Sequence, residues 1–216
     1  MKLAYLDLPL DTPGPPAVVL HREGVNSTER VAAFATGCGL FSRVAVPTGE
    51  YAFYPSGMSI GGTCWYRILP GFEGTDPISL TTAVVEVADL LADLALERPV
   101  LIGWGQGAVV ALGVGLWRGD AVGSVVCVDA RTAHISLLPP AVLAGAHPPA
   151  VLLAASDTSL ESELEKQQAL LAGHGVASTT WCSPGEATQG VLDSTLDKAL
   201  DEALVARIGK WLDGER

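Results

Sequence analysis

Residues 100–110 read VLIGWGQGAVV, in which two apolar runs flank three glycines at alternating positions. The first run has the length and composition of a buried strand, and the second continues as an apolar helix. Glycines spaced in this way predict a tight turn that packs the helix closely against the sheet. The stretch therefore predicts a strand, a sharp turn and a helix in direct succession.

The same alternation of strand and helix extends along the rest of the chain. Short apolar runs predict strands at residues 3–6, 17–20, 43–47, 100–103, 124–129, 150–154 and 178–182. Helical spacing predicts helices at 26–38, 81–96, 106–116, 160–173 and 192–211, with Thr81-Thr82 capping the second and Asp157 opening the fourth. Because no repeat or linker interrupts the pattern, residues 1–216 are expected to form one α/β domain, a mainly parallel sheet with helices on both faces.

Composition and charge exclude several classes of partner. The 216 residues carry a formal net charge of −11, which argues against a nucleic-acid partner because phosphates attract basic side chains. No apolar run reaches the roughly 18 residues of a membrane span, and no secretory pattern is found, so we expect a cytoplasmic protein. The four cysteines form no CxxC pair and no histidines have metal-ligand spacing, so neither a metal nor a cofactor is expected. Nothing in the sequence indicates an oligomeric state.

The middle glycine of the turn bears most directly on the chemistry. Gly105 holds the position at which the G-x-S-x-G pattern of serine hydrolases has its nucleophile. Glycine adopts the strained backbone of that position at little cost, but it has no hydroxyl that could attack a carbonyl. The backbone N–H of Gln106 is still expected to point into a pocket, where it would polarise a carbonyl or hold a carboxylate.

Three motifs carry a resemblance to a known family. The GWGQG of residues 103–107 resembles the G-F-S-Q-G elbow of the carboxylesterase/phospholipase group of α/β hydrolases. VVLH at 18–21 is similar to the strand that enters this family's L-H-G-x-G oxyanion loop, although Arg22 stands where the glycine would be. Gly61-Gly62 followed by Trp65-Tyr66 is similar to its G-G-x-x-W-F segment. The resemblance covers essentially the whole chain and implies a single-domain α/β-hydrolase fold.

The resemblance also locates the rest of the expected triad. Asp157 follows a predicted strand and matches the position of the family's acid. The family's histidine would fall within residues 184–190, which contain no histidine and have Thr188 in its place. A hydroxyl cannot act as a general base near neutral pH as imidazole does. With Gly105 and Thr188 at the nucleophile and base positions, the chain is not expected to be a serine hydrolase.

Binding residues are expected around the elbow and the altered oxyanion loop. The predicted substrate-binding residues are Arg22, Trp65, Tyr66, Trp104, Gly105, Gln106 and Thr188, with Leu40, Phe53 and Glu23 as further candidates for the lining. The alternative for the aromatic residues is the ordinary core, and the alternative for Arg22 and Glu23 is a solvated rim. His21 is expected to be structural, as in the family. His134 and Asp129 are candidates for either the pocket or a turn.

Without a nucleophile, the favoured function is binding followed by substrate-driven chemistry. A hydrophobic natural product or modified peptide would occupy the pocket, and oriented dipoles would promote its isomerisation. The chain looks similar to serine-less homologues that epimerise an aspartate in a modified peptide, which implies epimerisation at an acidic α-carbon with substrate-assisted proton transfer. Asp157 and Glu186 are the protein alternatives for the base. A small-molecule carrier and an inactive pseudo-esterase scaffold are the alternative functions.

Overall fold

The computed structural model describes residues 3–24, 28–53, 61–69, 75–143, 147–183 and 194–214. Nine strands lie within these ranges: β1 (Tyr5–Pro9), β2 (Pro16–Leu20), β3 (Arg43–Pro47), β4 (Tyr51–Ala52), β5 (Thr63–Cys64), β6 (Val100–Trp104), β7 (Ser124–Val128), β8 (Ala150–Ala155) and β9 (Ser178–Cys182). The helices of the same ranges are α1 (Thr28–Gly37), α2 (Pro77–Leu94), α3 (Gln106–Trp117), α4 (Thr132–Ile135), α5 (Pro140–Leu143), α6 (Glu161–Gly173) and α7 (Ser194–Leu212).

Seven of the described strands form one sheet in the order β1-β3-β2-β6-β7-β8-β9. The strands from β3 to β9 in this order are parallel, as predicted for strands joined by helices. β1 pairs antiparallel with β3 at the edge, and it begins at Tyr5, two residues later than predicted. Its Asp7 forms an ion pair with Arg43, at 2.7 Å from carboxylate to guanidinium, which suits an edge open to solvent.

Each face of the sheet has its own hydrophobic core, because successive residues of a strand point to opposite faces. On one face, Leu101 and Val125 pack among buried residues of α2, α3 and α6. On the other face, Ile102 and Val126 pack among buried residues of α1 and α7. The predicted α/β architecture with helices on both faces is therefore confirmed.

The start of α2 differs from the prediction. Asp76 caps this helix, since its side chain accepts a hydrogen bond from Ile78 N–H at 3.1 Å, and Pro77 is the first helical residue. The predicted cap at Thr81-Thr82 was wrong. Both threonines lie inside the helix, and the Thr81 hydroxyl donates to the Pro77 carbonyl at 2.8 Å. Proline can begin a helix because its missing N–H needs no partner there.

The start of α6 agrees with the prediction. Asp157 accepts a hydrogen bond from Ser159 N–H at 2.6 Å and caps the short 3₁₀ turn Thr158–Leu160, which leads directly into α6. The helix ends at Gly173, two residues before Gly175, whose φ of 76° is in the left-handed region. In the part of the chain that the structure describes, no helix is both long and apolar enough to cross a membrane.

Candidate functional site

The elbow between β6 and α3 has the strand, turn and helix predicted from its glycines. Gly105 has φ 53° and ψ −115°, a backbone conformation that side chains rarely adopt. A Cβ at Gly103 would lie 2.2 Å from the Gly107 carbonyl oxygen. A Cβ at Gly107 would lie 2.5 Å from the carbonyl oxygens of Leu20 and His21. The two outer glycines are thus required by backbone packing.

A cavity of about 540 Å³ opens at the elbow, at the carboxyl ends of the central strands. The elbow contributes Trp104, Gly105 and Gln106 to its wall, and the segment after β2 contributes Arg22 and Glu23. Asp129 and Arg131 follow β7, His134 lies on α4, and Glu163, Leu164 and Gln167 lie on α6. Ligand sites of α/β sheets form at this edge, and their volumes are of this size.

The carboxylate of Glu23 occupies the position in front of the elbow. Its Oε2 accepts a hydrogen bond from the backbone N–H of Gln106 at 3.1 Å. The same oxygen would lie 2.6 Å from a Cβ placed on Gly105. The Gln106 amide does point to the pocket side, as predicted, but it already holds an anion of the protein itself. Glu23 therefore fills space that the side chain of a nucleophile would need.

The side chain of Gln106 fixes the segment behind the elbow. Its Oε1 accepts from the backbone N–H of Trp65 at 2.9 Å and of Tyr66 at 3.3 Å, and its Nε2 donates to the Tyr66 carbonyl at 3.2 Å. Trp65 and Tyr66 are almost completely buried. Both residues support the elbow from behind and do not belong to the cavity wall. In this position they provide the core packing that was the alternative to a binding role.

A buried tyrosine and a histidine of the wall form a hydrogen-bonded pair. The Tyr66 hydroxyl lies 2.9 Å from Nδ1 of His134. Burial raises the pKa of Tyr66 well above its ordinary value. Burial, together with the charge of Arg131, lowers the pKa of His134 below 6.5. Near pH 7 both groups are neutral, so His134 presents an uncharged imidazole to the cavity.

His21 is buried and holds the loops around the elbow together. Its Nε2 accepts from the Gly49 backbone N–H at 2.9 Å, so Nδ1 carries the proton and donates to the Arg22 carbonyl at 2.7 Å. The Trp65 indole donates to the His21 carbonyl at 2.7 Å. Burial lowers the pKa of His21, which keeps the ring neutral. These contacts give His21 a structural role.

The two aspartates considered for the site lie in different surroundings. Asp129 belongs to the cavity wall, has φ 53° and accepts from Ser156 N–H at 2.8 Å. Burial raises the pKa of Asp129, against the hydrogen bond from Ser156. Asp157, at the expected acid position, caps the turn before α6 and does not contribute to the wall. Asp129, and not Asp157, is therefore placed to contact a ligand.

The structure brings together four of the predicted binding residues: Arg22, Trp104, Gly105 and Gln106. Thr188 lies outside the described residues. Leu40 packs against the core beside α1, and neither it nor Phe53 contributes to the wall. Among the described residues, no group of three His, Cys, Asp or Glu side chains could hold a metal ion.

Solved structures share this architecture. Esterase PE8 superposes with a TM-score of 0.70 at 20% identity, over 96% of this chain and 100% of the other. The chain has the α/β-hydrolase fold. A carboxylesterase from Bacillus cereus gives a TM-score of 0.64 at 19% identity over 98% of this chain and 93% of its own. Acyl-protein thioesterase 2 from Zea mays gives 0.63 at 17% identity over 96% and 100%.

At these identities the likeness shows the α/β-hydrolase fold alone. No protein-family model matches the sequence, and no curated protein matches it. Within this fold, the chain differs from a serine esterase at its elbow. There, Gly105 has no hydroxyl, and an oxygen of Glu23 lies beside it.

Proposed function

We propose that the chain is a non-hydrolytic protein of the α/β-hydrolase fold that binds a hydrophobic natural product or modified peptide and promotes its isomerisation. The reaction favoured is epimerisation at an acidic α-carbon with substrate-assisted proton transfer. The observation that carries the proposal is the elbow, where Gly105 has no nucleophile and the Gln106 amide already binds the Glu23 carboxylate.

This elbow is unsuited to acyl transfer for two physical reasons. An ester needs an attacking group, and glycine supplies none. The tetrahedral intermediate also places a negative oxygen against the amide that follows the nucleophile. Here that amide is hydrogen-bonded to Glu23, so the developing oxyanion would meet a carboxylate of the same charge. Both features raise the barrier to hydrolysis.

The cavity is suited to a partly apolar ligand. Its volume of about 540 Å³ and the side chains of Trp104, Leu160 and Leu164 provide apolar surface, while Arg22 and Asp129 provide polar contacts. Among serine-less homologues, the chain resembles the aspartate epimerase of the bottromycin pathway, which supports the reaction class. The α-proton beside an imine-like ring is already acidic, so orientation and exclusion of water provide most of what is needed.

A pair of rate measurements tests the proposal. The first uses p-nitrophenyl acetate, for which we expect no hydrolysis above the uncatalysed rate. The second incubates the protein in D₂O with a hydrophobic N-acyl peptide whose aspartate α-carbon is attached to a thiazoline ring. We expect deuterium to be incorporated at that α-carbon, and mass spectrometry and NMR measure its incorporation. Enzyme-like ester turnover contradicts the non-hydrolytic assignment, and absence of deuterium contradicts the epimerase assignment.

A non-catalytic small-molecule carrier is the second candidate. The contact between Glu23 and Gln106 favours it, because the one elbow amide that could stabilise a developing enolate is already occupied. A carrier would show a ligand-dependent rise in melting temperature without deuterium exchange, since binding alone exchanges no carbon-bound proton.

A further inference from the structure

The elbow of this protein presents a hydrogen-bond acceptor to a ligand, where a hydrogen-bond donor would be expected. In the α/β-hydrolase arrangement, the N-terminus of the helix after the elbow presents a free amide to a carbonyl oxygen. Here Oε2 of Glu23 receives that amide, at 3.1 Å from the Gln106 nitrogen. The group presented to the cavity at this position is then the carboxylate of Glu23, which also belongs to the cavity wall.

We propose that Glu23 determines ligand specificity by selecting molecules that present a cationic N–H group, such as an amidinium or a protonated imine. A carboxylate has about four acceptor positions. Among the described residues, the Gln106 amide is the single hydrogen-bond donor to Glu23. Two N–H groups of an amidinium can pair with the two carboxylate oxygens, and such charge-assisted pairs are stronger than neutral hydrogen bonds.

The rest of the wall is compatible with this choice. Trp104 lies next to Gly105 and provides an aromatic surface against which a flat cation can stack. Asp129 adds a second acidic side chain to the same wall. Arg22 and Arg131 also belong to the wall, and no ion pair joins either of them to Glu23 within the described ranges. An anionic ligand bound through these arginines is the competing prediction, and the experiment below includes it.

The inference rests on the proposed binding site and adds a chemical class of substrate to it. A protonated imine nitrogen paired with Glu23 would withdraw electrons from the imine carbon and make the proton on the attached α-carbon more acidic. The nitrogen keeps its proton throughout, so Glu23 acts in recognition. Recognition can be measured without turnover. A failure to exchange deuterium would therefore contradict the proposed epimerase without bearing on the charge preference of the cavity.

Three ligands with the same ring and different charge test the inference: benzamidine, benzoate and benzyl alcohol. Each is titrated into the ¹⁵N-labelled protein while the backbone amides of Gly105 and Gln106 are followed by NMR. The variants are Glu23→Gln, which keeps an oxygen that can accept from Gln106, and Glu165→Gln, which neutralises an exposed carboxylate on α6 outside the cavity wall.

We expect benzamidine to shift both amides in the wild type and in Glu165→Gln, with a Kd at least tenfold lower than that of benzoate or benzyl alcohol. The Glu23→Gln substitution should raise the Kd of benzamidine at least tenfold. The inference is overturned by benzoate binding as tightly as benzamidine, by unchanged benzamidine affinity in Glu23→Gln, or by no benzamidine shift. Should Glu23→Gln not fold, the ratio of benzamidine to benzoate affinity in the wild type decides alone.

Discussion

Adding a single methyl group at Gly105 tests the arrangement of the elbow most directly. In Gly105→Ala the new Cβ would lie 2.6 Å from Oε2 of Glu23, so the carboxylate has to move away. The movement breaks its hydrogen bond to Gln106, at a cost of about 1.5 kcal/mol for a charged acceptor. The φ of 53° adds about 2 kcal/mol of backbone strain for a residue with a side chain.

The two effects together predict a loss of about 3–4 kcal/mol in the free energy of unfolding, or a melting temperature lower by roughly 6–16 °C for a chain of this size. In the background Glu23→Ala, the hydrogen bond is already lost, and Gly105→Ala should cost about 2 kcal/mol from strain alone. The double-mutant cycle is thus expected to show a coupling energy of about 1.5 kcal/mol between the two positions.

Urea denaturation of the wild type, the two single variants and the double variant measures this coupling. Gly175→Ala is the matched control, because Gly175 has a φ of 76° and open space around its Cβ. That variant reports backbone strain without a clash and should be additive with Glu23→Ala. Additivity of Gly105→Ala and Glu23→Ala within about 0.5 kcal/mol would refute the placement of Glu23 in front of the elbow.

Two further predictions concern the groups around the cavity. Tyr66→Phe removes the hydroxyl bonded to His134 and should lower the free energy of unfolding by about 1 kcal/mol in urea, whereas Tyr5→Phe, on an exposed tyrosine, should change it by less than about 0.5 kcal/mol. Burial lowers the pKa of His21 from 6.5, so its stabilising contribution is fully present above that pH and is lost as the pH falls through the lowered pKa. The stability difference between the wild type and His21→Gln should therefore shrink from about pH 7.5 to about pH 5. A constant difference would contradict a buried, neutral His21.

The central strands of the sheet could be predicted from the sequence because they are buried on both faces. Runs such as residues 100–103 and 150–154 are almost continuously apolar, and that composition is sufficient to place them in a parallel sheet. The start of α2 was harder to predict from the sequence. Both Asp76 and Thr81 are residues that can cap a helix, and only the structure shows that the helix begins at the first of them.

The site was predictable where it depends on neighbours in sequence and not where it depends on distant contacts. Gly105 and Gln106 follow from the elbow motif, and the structure places both on the cavity wall. The contact between Glu23 and Gln106 joins residues 83 positions apart, so no local pattern could indicate it. The one signal was the change of the oxyanion loop to LHREG at residues 20–24, which placed a charged residue near the elbow.

The two outer glycines of the elbow are explained by the fold, whereas the central glycine bears on the chemistry of the cavity. A Cβ added at Gly103 or Gly107 would lie 2.2–2.5 Å from backbone atoms of α3, of Leu20 at the end of β2 or of His21, and no chemistry is assigned to any of these atoms. These glycines are needed for the helix to approach the sheet, whether or not the protein transfers acyl groups. The central position obeys a different constraint, because the atom beside Gly105 is a carboxylate oxygen of Glu23. Packing therefore requires the outer glycines whether or not the central residue has a hydroxyl, and the proposed charge preference of the cavity rests on Glu23 beside the central position.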